Sequence, residues 1–166
     1  MEKSRGNVAN LDVVVKRIKS SLMEKKRILV LCTGNSCRSQ IAHGYLENFG
    51  TDLFEVRSAG IEAHGVNPRA IQTMLEDGID ISNHTSNLIS DYEGEPFDYV
   101  ITVCDHAKEV CPWFPAKAAM LHHNFPDPAK ASGTEEQVME AFRNVREEIK
   151  TYCREFTNKF RENAGQ

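Results

Sequence analysis

Leu31-Cys32-Thr33-Gly34-Asn35-Ser36-Cys37-Arg38-Ser39 follows the apolar run Ile28-Leu29-Val30 and precedes an amphipathic stretch from Gln40 to Phe49. That order reads as strand, tight loop, helix. Cys32 closes the strand, and Arg38 opens the helix. Thr33, Gly34, Asn35, Ser36 and Cys37 between them are small enough to let backbone N–H groups turn inward. Such a nest at a helix start is a receptor for an oxyanion. Arg38 adds a two-pronged, charge-assisted grip on the same anion. Cys32 is then expected on the floor of a cationic cup, where a thiolate is favoured over a thiol. One short loop thus supplies a nucleophile and a receptor for a tetrahedral anion.

Outward from this loop, short apolar strands alternate with helical patterns. Strands are expected at Arg27–Leu31, Phe54–Arg57, Asp98–Val103 and, more weakly, Ala118–Leu121. Asn67-Pro68 starts a helix carrying Ala70, Ile71, Met74 and Leu75 on its apolar face, and Gly78 ends it. A short helix is expected from Thr85 to Ser90. Thr134-Glu135-Glu136-Gln137 is a capping box opening a long helix with Val138, Phe142, Val145, Ile149, Tyr152 and Phe156 along one face. The alternation predicts an α/β fold with a parallel sheet. Cys32 and Cys104 both fall at strand C-termini, where open α/β sheets place ligands.

The 166 residues suit one domain with a sizeable core. Residues 27–166 form that domain, and residues 1–26 are an N-terminal extension. In the extension Leu11, Val14, Val15, Ile18 and Leu22 have helical spacing, predicting a short amphipathic helix packed on the domain or a partner. A net charge of −4 argues against a general nucleic-acid binder. No apolar run is long enough to span a membrane. The N-terminus lacks a signal-peptide pattern, since Lys16, Arg17 and Lys19 interrupt the short valine run. A cytoplasmic location is expected. There, five cysteines are reduced, catalytic or redox-active rather than a structural framework.

Cys32 to Ser39 resembles the active-site loop of low-molecular-weight tyrosine phosphatases, and still more that of their relatives, the thioredoxin-coupled arsenate reductases. The resemblance runs from about Arg27 to about Phe160. It includes Ser58-Ala59-Gly60-Ile61-Glu62-Ala63-His64-Gly65, Gly78-Ile79-Asp80-Ile81-Ser82, the Cys104/Cys111 pair and Asp127-Pro128. It implies a single-domain open sheet of four parallel strands with helices on both faces. It also implies roles. Cys32 is the nucleophile, and the N–H groups of Thr33 to Arg38, with the Arg38 side chain, hold the anion. Ser39 donates its hydroxyl toward the Cys32 sulfur. Asn35 takes the left-handed backbone the loop needs and ties the loop to Ser58 and its neighbours. Asp127, restricted by Pro128, is the general acid for the leaving oxygen.

The pair Cys104 and Cys111 separates the two branches. By resemblance, Cys32 attacks arsenate, Cys104 attacks Cys32 with release of arsenite, and Cys111 attacks Cys104. The resulting Cys104–Cys111 disulfide is presented to thioredoxin. No bound cofactor is implied, and phosphate or sulfate would compete as anions. A phosphatase acting on small phosphoesters is the first alternative, because the loop and Asp127 would suffice for it. The aromatic residues that phosphotyrosine phosphatases place after Asp-Pro are replaced by Ala129 and Lys130. A non-catalytic anion sensor is the second alternative.

The remaining candidates are structural. A metal site from Cys104, Cys111 and His106 matches no standard zinc spacing, and no metal is expected. Some reductases bind potassium through acids at positions that here hold His43 and Asn87, so the resemblance does not carry that site over, although Asn35 and Ser58 are retained. Cys37 is expected to serve through its backbone, Cys153 as core, and His122 and His123 as surface residues.

Overall fold

The computed structural model describes residues 8–22, 24–110 and 117–165. Among them four strands, β1 (Lys26–Cys32), β2 (Phe54–Gly60), β3 (Tyr99–Thr102) and β4 (Ala119–His122), form one parallel sheet in the order β2-β1-β3-β4. Among the described residues five helices accompany it: α1 (Val8–Leu22), α2 (Arg38–Phe49), α3 (Pro68–Glu76), α4 (Asp105–Val110) and α5 (Glu135–Ala164). This is the open, helix-flanked parallel sheet expected from the sequence. No helix among the described residues is long and apolar enough to cross a membrane.

The central strand reads as it should. Ile28 to Leu31 have no solvent exposure, as an unbroken apolar run between covered faces requires. Its neighbours β2 and β3 depart on opposite sides, so Cys32 ends the strand at which the sheet changes direction. That is where open α/β sheets open a crevice.

Helix α2 packs on β1 and β2 and against α5. The capping box of α5 is formed: Gln137 N–H donates to Thr134 Oγ1 at 3.2 Å and Thr134 N–H to Gln137 Oε1 at 2.8 Å. Val138, Phe142, Val145, Ile149 and Cys153 are buried along it. Burial of each large apolar side chain contributes roughly 1.5–3 kcal/mol. Helix α3 has Asn67 as its N-cap and Pro68 in its first turn, and Gly78 follows it with φ +77°. Ala70 and Met74 are buried, whereas Leu75 is exposed.

Two local expectations change. Residues 85–87 are not helical. Leu88 bridges Gly60 at the sheet edge, and only Ile89–Tyr92 makes a 3-10 turn. The pairing of the preceding residues with the Cys32 loop holds them extended. His122 is half-buried rather than a surface residue: Nδ1 bonds Thr102 Oγ1 and Nε2 bonds Asp105 Oδ1, each at 2.7 Å. His123 is exposed, as expected. The helix expected in the extension forms as α1, with Leu11, Val13, Val14, Val15 and Ile18 exposed along it.

Candidate active site

The Cys32 loop is shaped from outside. Ile61 N–H donates to the Cys32 carbonyl at 3.3 Å, Glu62 to Thr33 at 2.8 Å, His64 to Gly34 at 2.9 Å and Asn67 to Ser36 at 3.1 Å. In a planar trans peptide the N–H points opposite to the carbonyl. Turning these carbonyls to the 61–67 segment therefore turns the N–H groups of Thr33, Gly34, Asn35 and Cys37 to the concave side. Gly60 makes this approach feasible. A Cβ there would lie 2.4 Å from the Glu62 carbonyl oxygen and 2.7 Å from both Asn35 N and the Thr33 oxygen.

Asn35 has φ +46°, alone among the described non-glycine residues in having a positive φ. Its side chain explains why the loop tolerates it. Asn35 Oδ1 accepts from Asn87 N–H at 2.8 Å, and Nδ2 donates to Ser39 Oγ at 2.8 Å. Ser39 Oγ lies 2.8 Å from Cys32 Sγ. Since Ser39 already accepts from Asn35, its own proton is directed at the sulfur. The expected Asn35 tie is made to Asn87, whereas Ser58 Oγ pairs instead with His43 Nδ1 at 2.9 Å.

Arg38 and Asp127 complete the cup. Arg38 Nη1 donates to the Phe125 carbonyl at 3.0 Å, and its Nη2 lies 3.6 Å from Asp127 Oδ2. Asp127 Oδ1 accepts from Ala129 N–H at 3.0 Å, so the carboxylate is fixed across the cleft. Cys32, Arg38, Asp127, the loop and Ala129 enclose about 160 Å³. His64 also lines this cleft, a role that its place in the Ser58–Gly65 motif does not announce. Buried Gln40 is a second unforeseen support, its Nε2 donating to the Asn35 carbonyl at 3.1 Å. A polar residue on the inner face of α2 was the available signal.

Cys104 sits beside the loop. Residues Leu31 and Thr102 are in register on adjacent parallel strands, so both cysteines emerge from the same end of the sheet. Cys104 Sγ is 3.5 Å from Thr33 Oγ1 and accepts from Ala107 N–H at 3.4 Å. Cys104 is 3 % exposed. Cys111 and Trp113 lie outside the described residues. Cys37 is buried, which pushes its thiol up to about 12 and suits a structural role. Cys153 is fully buried, and burial likewise pushes its thiol upward. Among the described residues the convergent group of metal-ligating side chains is His43, Glu47 and His84, which includes no cysteine.

The fold and loop define a class. Residues 27–165 match the model of the low molecular weight phosphotyrosine protein phosphatase family. The chain belongs to that family. Within it, the chain is similar to an arsenate reductase of Halalkalibacterium halodurans, at 52% identity over 127 residues covering 76% of this chain and 91% of that protein. An arsenate reductase of Bacillus subtilis is 48% identical over 134 residues, covering 81% and 96%. A solved arsenate reductase in the oxidized state is 31% identical with a TM-score of 0.71, covering 81% of this chain and 98% of its own.

Proposed function

We propose that this protein reduces arsenate to arsenite through Cys32, with a Cys32–Cys104–Cys111 disulfide relay re-reduced by thioredoxin. The observation that carries this reading is the seating of Cys104 beside the anion loop, through Thr33 Oγ1 at 3.5 Å. A hydrolytic enzyme needs no second buried thiol there. Small Ala129 at the cleft rim supports a small inorganic anion over an aryl phosphate.

The Cys32 thiolate attacks As(V) and displaces one oxygen, which leaves as water after protonation by Asp127. The inward N–H groups and Arg38 carry the charge on the remaining oxygens. Cys104 then attacks Cys32 Sγ. The S–As electron pair stays on arsenic, which departs as As(III), and a Cys32–Cys104 disulfide remains. Cys111 attacks Cys104 Sγ and frees the Cys32 thiolate. The thioredoxin dithiol supplies two electrons to the Cys104–Cys111 disulfide, with no bound cofactor.

The test is arsenate-dependent NADPH oxidation in the presence of thioredoxin and its reductase. Steady turnover that phosphate or sulfate inhibits is expected. Hydrolysis of an artificial aryl phosphate without any arsenate-dependent oxidation would instead establish the phosphatase alternative.

A further inference from the structure

His43, Glu47 and His84 meet behind the Cys32 loop. His43 and Glu47 are one helical turn apart on α2, and His84 comes from the segment after α3. One ligand atom from each lies within 4.8 Å of the other two. Glu47 Oε2 is 3.9 Å from His43 Nε2 and 3.6 Å from His84 Nε2.

The surrounding hydrogen bonds fix which nitrogen is available. Gln40 Nε2 donates to the carbonyls of Asn35 and Thr85, at 3.1 and 3.0 Å. Its Oε1 therefore faces His84 Nδ1 at 3.0 Å, and Nδ1 must carry the hydrogen. In the neutral ring His84 Nε2 is then a lone pair directed toward a carboxylate. Two acceptors in that arrangement call for a positive charge between them. His43 has its Nδ1 engaged by Ser58 Oγ at 2.9 Å, leaving Nε2 for Glu47.

We infer that His43, Glu47 and His84 bind a divalent transition-metal ion of the zinc type. Two imidazoles and one carboxylate are a zinc donor set, with water for a fourth position. Both rings have a side-chain partner on Nδ1, the outer-shell pattern of metal-bound histidine. Ligand atoms about 2.0–2.2 Å from tetrahedral zinc lie roughly 3.3–3.6 Å apart. The Glu47–His84 separation of 3.6 Å falls in that range and the Glu47–His43 separation of 3.9 Å lies just above it; binding would swing the two stacked rings apart until both Nε2 lone pairs meet at the ion. Two protons are a poor substitute for the metal. The rings stack with centroids 4.1 Å apart, which opposes two imidazolium charges. Arg57 opposes any added cation, whereas Glu47 and the nearby Asp80 favour one. Glu47, His84 and Asp80 line a surface pocket of about 290 Å³, which gives an ion and its water a way in.

The ion would brace the active site. His84 is followed by Thr85, Ser86 and Asn87, and all three hold the loop. Thr85 does so through Gln40, Ser86 Oγ donates to the Asn35 carbonyl at 3.0 Å, and Asn87 N–H donates to Asn35 Oδ1. Pinning His84 to α2 fixes that support. This inference does not depend on the reductase reading.

Titration of the reduced protein with Co²⁺, followed by competition with Zn²⁺, tests it. One equivalent should bind with visible d–d bands and without a thiolate charge-transfer band. Glu47→Gln, at an exposed position, and His84→Ala should each weaken binding by about 100-fold, the upper end of what even an outer-shell partner is worth. Zn²⁺ should slow amide exchange over residues 84–88 in the wild type but not in the variants. Absence of stoichiometric binding would overturn the site and leave a proton between His84 and Glu47. Thiolate bands, or affinity unchanged in both variants, would overturn it in favour of the cysteines. Tight binding without any change in exchange would overturn the bracing role.

Discussion

The Cys32 loop and the segment from Cys104 to Val110 stand at the same end of the sheet but are held in opposite ways. Cys32 to Ser39 is tied on its outer side by the 61–67 segment and by Ser86, Asn87 and Gln40. Among the described residues, the side-chain hydrogen bonds of α4 to the rest of the domain gather at its start, where Asp105 N–H donates to Asn124 Oδ1 and the Asp105 carboxylate meets His122, while Ala107 packs in the core. Asp105, His106, Lys108 and Glu109 are exposed, while Cys104 and Ala107 are buried. The contrast follows from the chemistry proposed for each. Donors aimed at an oxyanion stabilise it most when they need no reorganisation. A relay thiol has to reach two partners in turn, so its segment has to move.

The harshest way to break this division is to remove the shared nucleophile. Cys32→Ser should lower both arsenate reduction and aryl phosphate hydrolysis by roughly 10⁴-fold or more, because an alcohol is not ionised at neutral pH. Wild-type turnover in either assay would remove Cys32 from that reaction. The next separates the regions. Cys104→Ser and Cys111→Ser should each stop repeated arsenate reduction with thioredoxin while largely sparing aryl phosphate hydrolysis. Repeated reduction by both variants would defeat the relay.

Smaller effects sharpen the account of the rigid half. Gly60→Ala forces a Cβ against Thr33, Asn35 and Glu62. Such overpacking costs about 1–3 kcal/mol, or roughly 3–10 °C in Tm for a chain of this size. An unchanged melting curve would mean that the loop is softer than its contacts imply. Asp77→Asn should act only on the scaffold. Asp77 joins α3 to α2 and α5 through Tyr45 Oη and Lys150 Nζ, each at 2.7 Å. Lys150, then Tyr45, hold its carboxyl below the ordinary range. A depressed folded-state pKa stabilises above the unfolded value, about 3.9, and that contribution is lost as pH falls through the folded one. The wild type should therefore melt above the variant at neutral pH, and the gap should close in acid below about pH 4. A gap independent of pH would assign the effect to packing instead.

Much of this site was legible because its parts are local. Strand, loop and arginine lie within a few residues of Cys32, and the apolar runs announce a buried parallel sheet. What stayed hidden depends on distant partners. Thr85–Ser90 reads as a short helix, yet the bonds that Asn87 and Leu88 make to Asn35 and Gly60 keep residues 85–88 out of one and leave only the 3-10 turn from Ile89. His122 gains its partners only when β4 pairs with β3, bringing Thr102 and Asp105 alongside. His43 and His84 are 41 positions apart in the sequence, and nothing near either one announces the other. The exposed apolar positions of α1 show the same limit: periodicity marks a face without stating what covers it.

Amide exchange tests the central division most directly, comparing the reduced enzyme with enzyme after one turnover on arsenate without reductant. In helical geometry, Cys104 and Cys111 would have Cα atoms roughly 10.5 Å apart, at about 1.5 Å rise per residue. A disulfide requires about 7 Å or less. If the helix runs through both cysteines, completing the relay unwinds part of α4. Exchange over 105–110 should accelerate, Trp113 fluorescence should change, and residues 33–39 should stay protected. Cys111→Ser, halted at Cys32–Cys104, should show a smaller change. Equal exchange over 105–110 in the reduced and Cys104–Cys111 forms would contradict the account.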